Sequence, residues 1–130
     1  MKQTLLLILV IVLLVSVNQA QSLDIKSEKK ETVKPKVTFI ELGSVNCIPC
    51  KQMVPVMKAI EEKYGEQVKV VFYDVWTSEQ KKYATQYKIK LIPTQVFLDE
   101  KGKEFHRHEG YYPEAEINKI LKKKGLQLIK

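Results

Sequence analysis

Val37-Thr38-Phe39-Ile40-Glu41-Leu42-Gly43-Ser44-Val45-Asn46-Cys47-Ile48-Pro49-Cys50 is the stretch from which the rest of the chain can be read. Val37 to Leu42 is β-branched and aromatic, carries one acid, and is closed by Gly43-Ser44, the pattern of a short buried strand. From Cys50 onward Met53, Val54, Met57, Ile60 and Tyr64 recur at helical spacing, and Gly65 stands where a helix-ending glycine belongs. A strand that passes through two cysteines into a helix places thiols at a helix N-terminus. The unpaired N–H groups and dipole there favour negative charge, so Cys47 should ionise more readily than a free thiol. The two-residue spacer sets Cys50 one turn on, within disulfide reach, pointing inward as the resolving thiol. Pro49 suits the first helical turn, where its missing N–H has no intrahelical partner, whereas Pro55 should kink the helix.

Two other uses of this pair stay open at this point: a permanent disulfide, or half of a metal site. A ring closed by cysteines so near in sequence adds little chain-entropy stabilisation, which weighs against a purely structural bond. A metal would need further ligands. The only histidines, His106 and His108, would share one face of a strand, and nothing in the sequence brings that face to Cys47. Copper would suit the thiolates as well as zinc.

Further along, Val68–Tyr73 is a near-continuous apolar strand of the kind a sheet covered on both faces requires. Thr77-Ser78-Glu79-Gln80 fits a capping box opening a short helix with Tyr83, Ala84 and Tyr87. Gln95–Leu98 and Glu104–His108 flank Asp99-Glu100-Lys101-Gly102, a hairpin signal. Pro113–Lys124 reads as a closing helix, with Glu114 and Glu116 early, lysines in its last turn and Gly125 after it. The order β-α-β-α-β-β-α implies a parallel pair, an antiparallel hairpin and a covering helix.

The 130 residues are 45% hydrophobic and 28% charged, with five Gly and five Pro, which excludes collagen, disorder and a polytopic membrane protein. With two cysteines, the chain must stand on a core rather than on a disulfide framework. Leu5–Val15 is an unbroken apolar run behind Lys2, shorter than the roughly 17–25 residues of a spanning helix. It matches the apolar region of a secretory signal, cleaved near Ala20, or else a retained N-terminal anchor. Residues 1–20 are therefore expected to be a signal peptide or anchor, residues 21–36 a polar tether, and residues 37–130 one domain. The formal charge of +7 is spread along the sequence without a basic-aromatic run, so no nucleic acid is expected. The lysines of the last helix read as a solvated face, and Trp76 as a core residue anchoring a loop.

From about Val37 to about Leu128 the chain resembles the thioredoxin family. The resemblance is carried by Gly43-Ser44-Val45-Asn46-Cys47-Ile48-Pro49-Cys50-Lys51, by Pro55, by Tyr87-Lys88-Ile89-Lys90-Leu91-Ile92-Pro93-Thr94, by Gly102 and by Gly110. It implies a thioredoxin-like α/β fold, a central mixed sheet of about four strands flanked by three helices, here trimmed at the N-terminus. It also implies Cys47 as nucleophile, Cys50 as resolving thiol and Pro93 as a cis-proline beside the disulfide. The backbone of Ile92 would pair with an extended substrate, Asn46, Ile48 and Pro49 would meet it around the cysteines, and Gly110-Tyr111 would form the opposite wall. No cofactor beyond the Cys47–Cys50 disulfide is implied. Asn46 stands where an aromatic residue is usual, Glu41 where an Asp is frequent, and the lysine that often neighbours that acid would fall at Val70 and is absent.

Glu41 has a reading of its own. An acid in an apolar strand is costly unless paired or protonated, and burial should raise its pKa. Its side chain is expected beneath the disulfide, near Cys50, as proton acceptor; the alternative is a strand-end position facing water. The leading expectation is thus an extracytoplasmic, monomeric thiol–disulfide oxidoreductase acting on protein disulfides or thiols. Strongly oxidising relatives usually carry a helical insertion, for which the chain has no space, and Pro49 and Ile92 match reducing members. The direction expected is reduction of exported proteins or cytochrome apoproteins, fed by a membrane-embedded thiol donor. The alternative is a copper carrier using the same cysteines.

Overall fold

The computed structural model describes residues 34–129; the expected signal or anchor at 1–20 and most of the expected tether lie outside them. Four strands, β1 (Val37–Gly43), β2 (Val68–Asp74), β3 (Thr94–Asp99) and β4 (Glu104–Glu109), form one sheet in the order β2-β1-β3-β4. β1 runs parallel to β2 and antiparallel to β3, and β3 and β4 form the hairpin. Helices α1 (Ile48–Tyr64), α2 (Lys82–Gln86) and α3 (Glu114–Lys123) complete the order read from the sequence.

The alternation along β1 divides the core. Val37 and Phe39 face α1 and α3, packing with Met53, Val56, Ile60, Ile117 and Leu121. Ile40 and Leu42 face the other way, towards Tyr83, Ala84 and Tyr87. Phe39 stacks on its β3 partner Phe97 at 4.7 Å, and Tyr73 stacks on Tyr83 at 3.6 Å. Both faces are covered, as the apolar β2 requires. Gly65 ends α1 at φ 54°, a conformation costly for any other residue.

α1 begins at Ile48, which puts Pro49 in its first turn as read from the sequence; Cys47 is the N-cap and Pro55 lies inside the helix. Two local readings are revised. Only half of the capping box forms: Thr77 Oγ1 accepts from Gln80 N at 3.3 Å, but the Gln80 side chain is drawn away to the backbone N–H of Asp74 at 2.7 Å. Trp76 is 62% exposed rather than a core anchor. Its loop is held by backbone bonds to Asp74, which leave the indole outside.

Candidate functional site

The parallel strands β1 and β2 end side by side, and the chain leaves β1 into the cysteine loop. Ser44 O accepts from Cys47 N at 3.2 Å and Ser44 Oγ from Asn46 N at 3.2 Å, which turns the chain into α1. Cys47 and Cys50 are disulfide-bonded, with Cα atoms 5.2 Å apart, and both are buried. Cys47 Sγ accepts from the backbone N–H of Cys50 at 3.3 Å, the capping contact that would stabilise a thiolate there. Asn46, Ile48 and Pro49 surround the pair on the exposed side.

Cys50 points inward against Gly43. A Cβ at Gly43 would lie 3.2 Å from both Cβ and Sγ of Cys50, so the resolving sulfur occupies the space a side chain would need. A hollow of about 280 Å³, lined chiefly by Val45, Val54, Met57 and Phe72, opens beside it.

Glu41 lies two residues before Gly43, on the same face of β1, about 7 Å back along the strand. It is fully buried, which removes the solvent-facing alternative. Its strand neighbours are Phe72 and Gln95; the β2 position beside the acid is therefore Phe72, not Val70, and is apolar. Oε1 accepts from Gln95 Nε2 at 3.4 Å, while Oε2 has no partner among the described residues. Burial pushes the carboxyl up to about 8, opposed weakly by the Gln95 hydrogen bond.

The Ile92–Pro93 peptide is cis, as the resemblance implies. Pro93 O accepts from Gly110 N at 2.7 Å and Thr94 Oγ1 donates to Leu91 O at 2.7 Å, whereas the N–H and C=O of Ile92 between them have no protein partner among the described residues. Gly110, at φ 89°, turns the opposite wall, and its carbonyl accepts from the same Gln95 Nε2 at 3.1 Å. Gln95 thus ties the buried acid to the groove wall. Tyr111 is half exposed, and its carbonyl lies 3.1 Å from His108 Nε2.

Three contributors were not singled out from the sequence. Gln95 reads in the sequence as a strand residue, its signal being a polar side chain in an apolar strand. Gly43 reads as a strand terminator and a piece of the family motif, without its contact to Cys50. Asp74 joins the two loops at the sheet end: Oδ2 accepts from Val45 N and Oδ1 from Trp76 N, each at 3.1 Å. Burial pushes its carboxyl up, but those two N–H groups outweigh it and hold it below the ordinary range. On the loops at this end of the sheet, Val45, Ile48, Trp76, Leu91 and Tyr111 expose apolar surface.

The histidines are engaged elsewhere: His106 Nε2 lies 2.9 Å from Tyr112 Oη, and His108 stacks on the Tyr112 ring at 4.0 Å. Among the described residues no three His, Cys, Asp or Glu side chains converge as a metal site.

A family model for a thioredoxin-like domain matches residues 23–125. The chain is 32% identical over 96 residues to the chloroplastic thioredoxin Y of Oryza sativa subsp. japonica, covering 74% of this chain and 53% of that protein. It therefore spans about half the length of that relative. It is also 32% identical over 97 residues to thioredoxin 1 of Synechococcus elongatus, covering 73% and 87% of the two chains. A solved thioredoxin variant from Halobacterium salinarum NRC-1 superposes with a TM-score of 0.62 at 21% identity, over 74% of this chain and 80% of that one, a likeness of fold.

Proposed function

The chain belongs to the thioredoxin family and is a thiol–disulfide oxidoreductase with Cys47 and Cys50 as its redox pair; on that premise we propose that it reduces disulfides of exported proteins or cytochrome apoproteins outside the cytoplasm. The observation that carries the site assignment is the helix-capping Cys47 with Cys50 buried behind it on Gly43.

The reduced pair starts the cycle. The Cys47 thiolate attacks one sulfur of the substrate disulfide, forming a mixed disulfide and releasing the other sulfur as a thiolate that takes up a proton. Cys50 then loses its proton and attacks Cys47 Sγ, breaking the mixed disulfide and releasing the second substrate thiol. The substrate gains two electrons and two protons, and the chain is left as the Cys47–Cys50 disulfide. An extended substrate is held by the unpartnered Ile92 backbone, between the cysteine loop and Gly110-Tyr111.

In its ionised form, the minor one at neutral pH, Glu41 accepts the Cys50 proton during resolution, directly or through one water. Burial raises the carboxyl to about 8, which makes its ionised form a stronger base than an ordinary carboxylate. A membrane-embedded dithiol donor would return electrons to the pair, since the exported side has no cytoplasmic reductase supply. The short β2–β3 connection, which holds only α2 among the described residues, supports the reducing direction because the oxidising relatives carry an insertion.

The test is disulfide reduction by the dithiol-charged chain. Turnover should vanish in Cys47→Ser, and Cys50→Ser should accumulate the mixed disulfide on Cys47. Stoichiometric copper binding without turnover would instead favour a metal carrier. Fractionation tests the location: the chain should be recovered outside the cytoplasm, soluble without residues 1–20 or membrane-attached with them. Intact chain soluble in the cytoplasm would refute both forms.

A further inference from the structure

The fold sorts the charges that the sequence spreads out. At the end of the sheet remote from the disulfide, β1 and β2 begin, β3 finishes, and α3 finishes. Val37 pairs with both Val68 and Asp99 there, and Lys36, Asp99, Glu100, Lys101, Lys124 and Leu126 line a single surface cleft. The segments that meet at this end, 34–37, 65–69, 99–103 and 122–126, carry eight lysines and three acids, a formal +5. All eight lysines are exposed. The remaining nine cations and nine acids of the described residues cancel. Outside these segments the described charges thus sum to zero, and the excess of positive charge is concentrated at this end.

The three acids of this end offset part of the field, and the formal +5 is what remains. Asp99 is committed to the hairpin, its Oδ1 accepting from Lys101 N at 2.9 Å and Lys103 N at 3.0 Å. Lys124 lies over the Phe105 ring with its ammonium 4.7 Å from the centroid, so its charge is presented at a fixed place. The described chain enters β1 at this same end, through Lys34–Lys36.

We propose that this lysine-rich end, Lys34, Lys36, Lys69, Lys101, Lys103 and Lys122–Lys124, is a docking surface for an anionic membrane. It rests on the reading of residues 1–20 as an export signal or anchor, which brings the chain to a bilayer. Clusters of lysines at a bilayer surface are attracted to anionic headgroups, with an affinity gain of about fivefold per lysine, lost within a Debye length. Docked in this way, the domain would hold Cys47 a strand length away from the lipid, on the order of 20 Å, facing its substrates. The inferred surface is an electrostatic one, so it requires no apolar insertion from the domain itself.

The experiment is lysine-reactive acetylation read by mass spectrometry on the full chain, with phosphatidylcholine vesicles containing or lacking phosphatidylglycerol. Lys36, Lys101, Lys103 and Lys122–Lys124 should be protected at least about fivefold by the anionic vesicles, and the protection should vanish near 1 M salt, where the screening length is about 3 Å. Lys51, Lys81, Lys82, Lys88 and Lys90 should label equally in both. The variant Lys101→Gln/Lys122→Gln/Lys124→Gln should lose the protection of Lys36 and Lys103. A bound chain labelled uniformly, or protected at Lys88 and Lys90, would overturn the proposal. Equal protection by a DNA duplex at the same salt would overturn it in favour of a general polyanion site. Failure to bind neutral vesicles speaks against the anchor alone, since protection on anionic vesicles would still support the surface.

Discussion

Two buried carboxyls stand at the redox end of the sheet, and they are in opposite states. Asp74 ends β2, accepts hydrogen bonds from two backbone N–H groups, and is held below the ordinary carboxylate range. Glu41 lies mid-strand in β1, has one long contact from Gln95 and an orphaned oxygen, and is pushed up to about 8. Glu41 lies deeper than Asp74, and only Asp74 has donors on both oxygens; depth and donor supply together decide the outcome. The satisfied acid fastens two loops and is structural. The unsatisfied one is mostly protonated at neutral pH, and only its ionised minority could serve as the proton acceptor proposed for Cys50.

The comparison is broken most severely by removing the unsatisfied acid. In Glu41→Leu, thermodynamic stability should rise by roughly 2–4 kcal/mol at pH 8, each pKa unit being about 1.4 kcal/mol. The sign follows from proton uptake. With a folded value near 8 and an unfolded value near 4.5, the native state holds the extra proton between those limits. Wild-type stability therefore falls across that window as pH rises, and the advantage of the variant should disappear below about pH 4.5. Denaturant melts across pH check this. The same change should slow resolution of the mixed disulfide by about 100-fold, leaving the Cys47 attack nearly intact, as rapid-quench trapping would show. A destabilised variant resolving at the wild-type rate would remove Glu41 from the mechanism.

Asp74→Ala should act in the opposite direction. It leaves the N–H groups of Val45 and Trp76 without their partner and should cost about 2–3 kcal/mol. Because the folded carboxyl titrates below its unfolded value, its contribution is present above about pH 4 and is lost as pH falls through the folded pKa. A variant as stable as wild type at pH 7 would mean the loops are held by other contacts.

Gly43→Ala sharpens the geometry at smaller cost. Its methyl would press on Cys50 at 3.2 Å, where both sulfurs are fixed, and should destabilise the oxidised form by about 1–2 kcal/mol. Thermal melts of the oxidised and reduced chain should show a larger loss when oxidised. The smallest stability effect belongs to Trp76→Ala, within about 0.5 kcal/mol because the indole is exposed. KM for a protein disulfide should rise severalfold in that variant while turnover of a small disulfide stays unchanged.

What the sequence made legible was local. The strand of Val37–Leu42, the helix after the cysteines and the hairpin at Asp99–Gly102 each carry their own period and turn residues. Glu41 was legible as an anomaly, a charge inside an apolar strand. Its surroundings were not, because they depend on strand register: Gln95 is 54 residues away, and the neighbour on β2 is Phe72 rather than Val70. Trp76 misled for a related reason. An indole is expected inside, but its loop is fixed by backbone bonds to Asp74 that are indifferent to where the ring points. The gathering of lysines at one end was likewise invisible, since it joins four segments that the sequence separates.

Whether Cys47 and Cys50 serve reduction is decided by the equilibrium potential of the purified pair against a glutathione or dithiothreitol buffer. Thiol–disulfide proteins of this chemistry span about −270 mV to about −120 mV. A value near −270 mV is the result predicted; a value near −120 mV would make the chain an oxidant and contradict a reducing role.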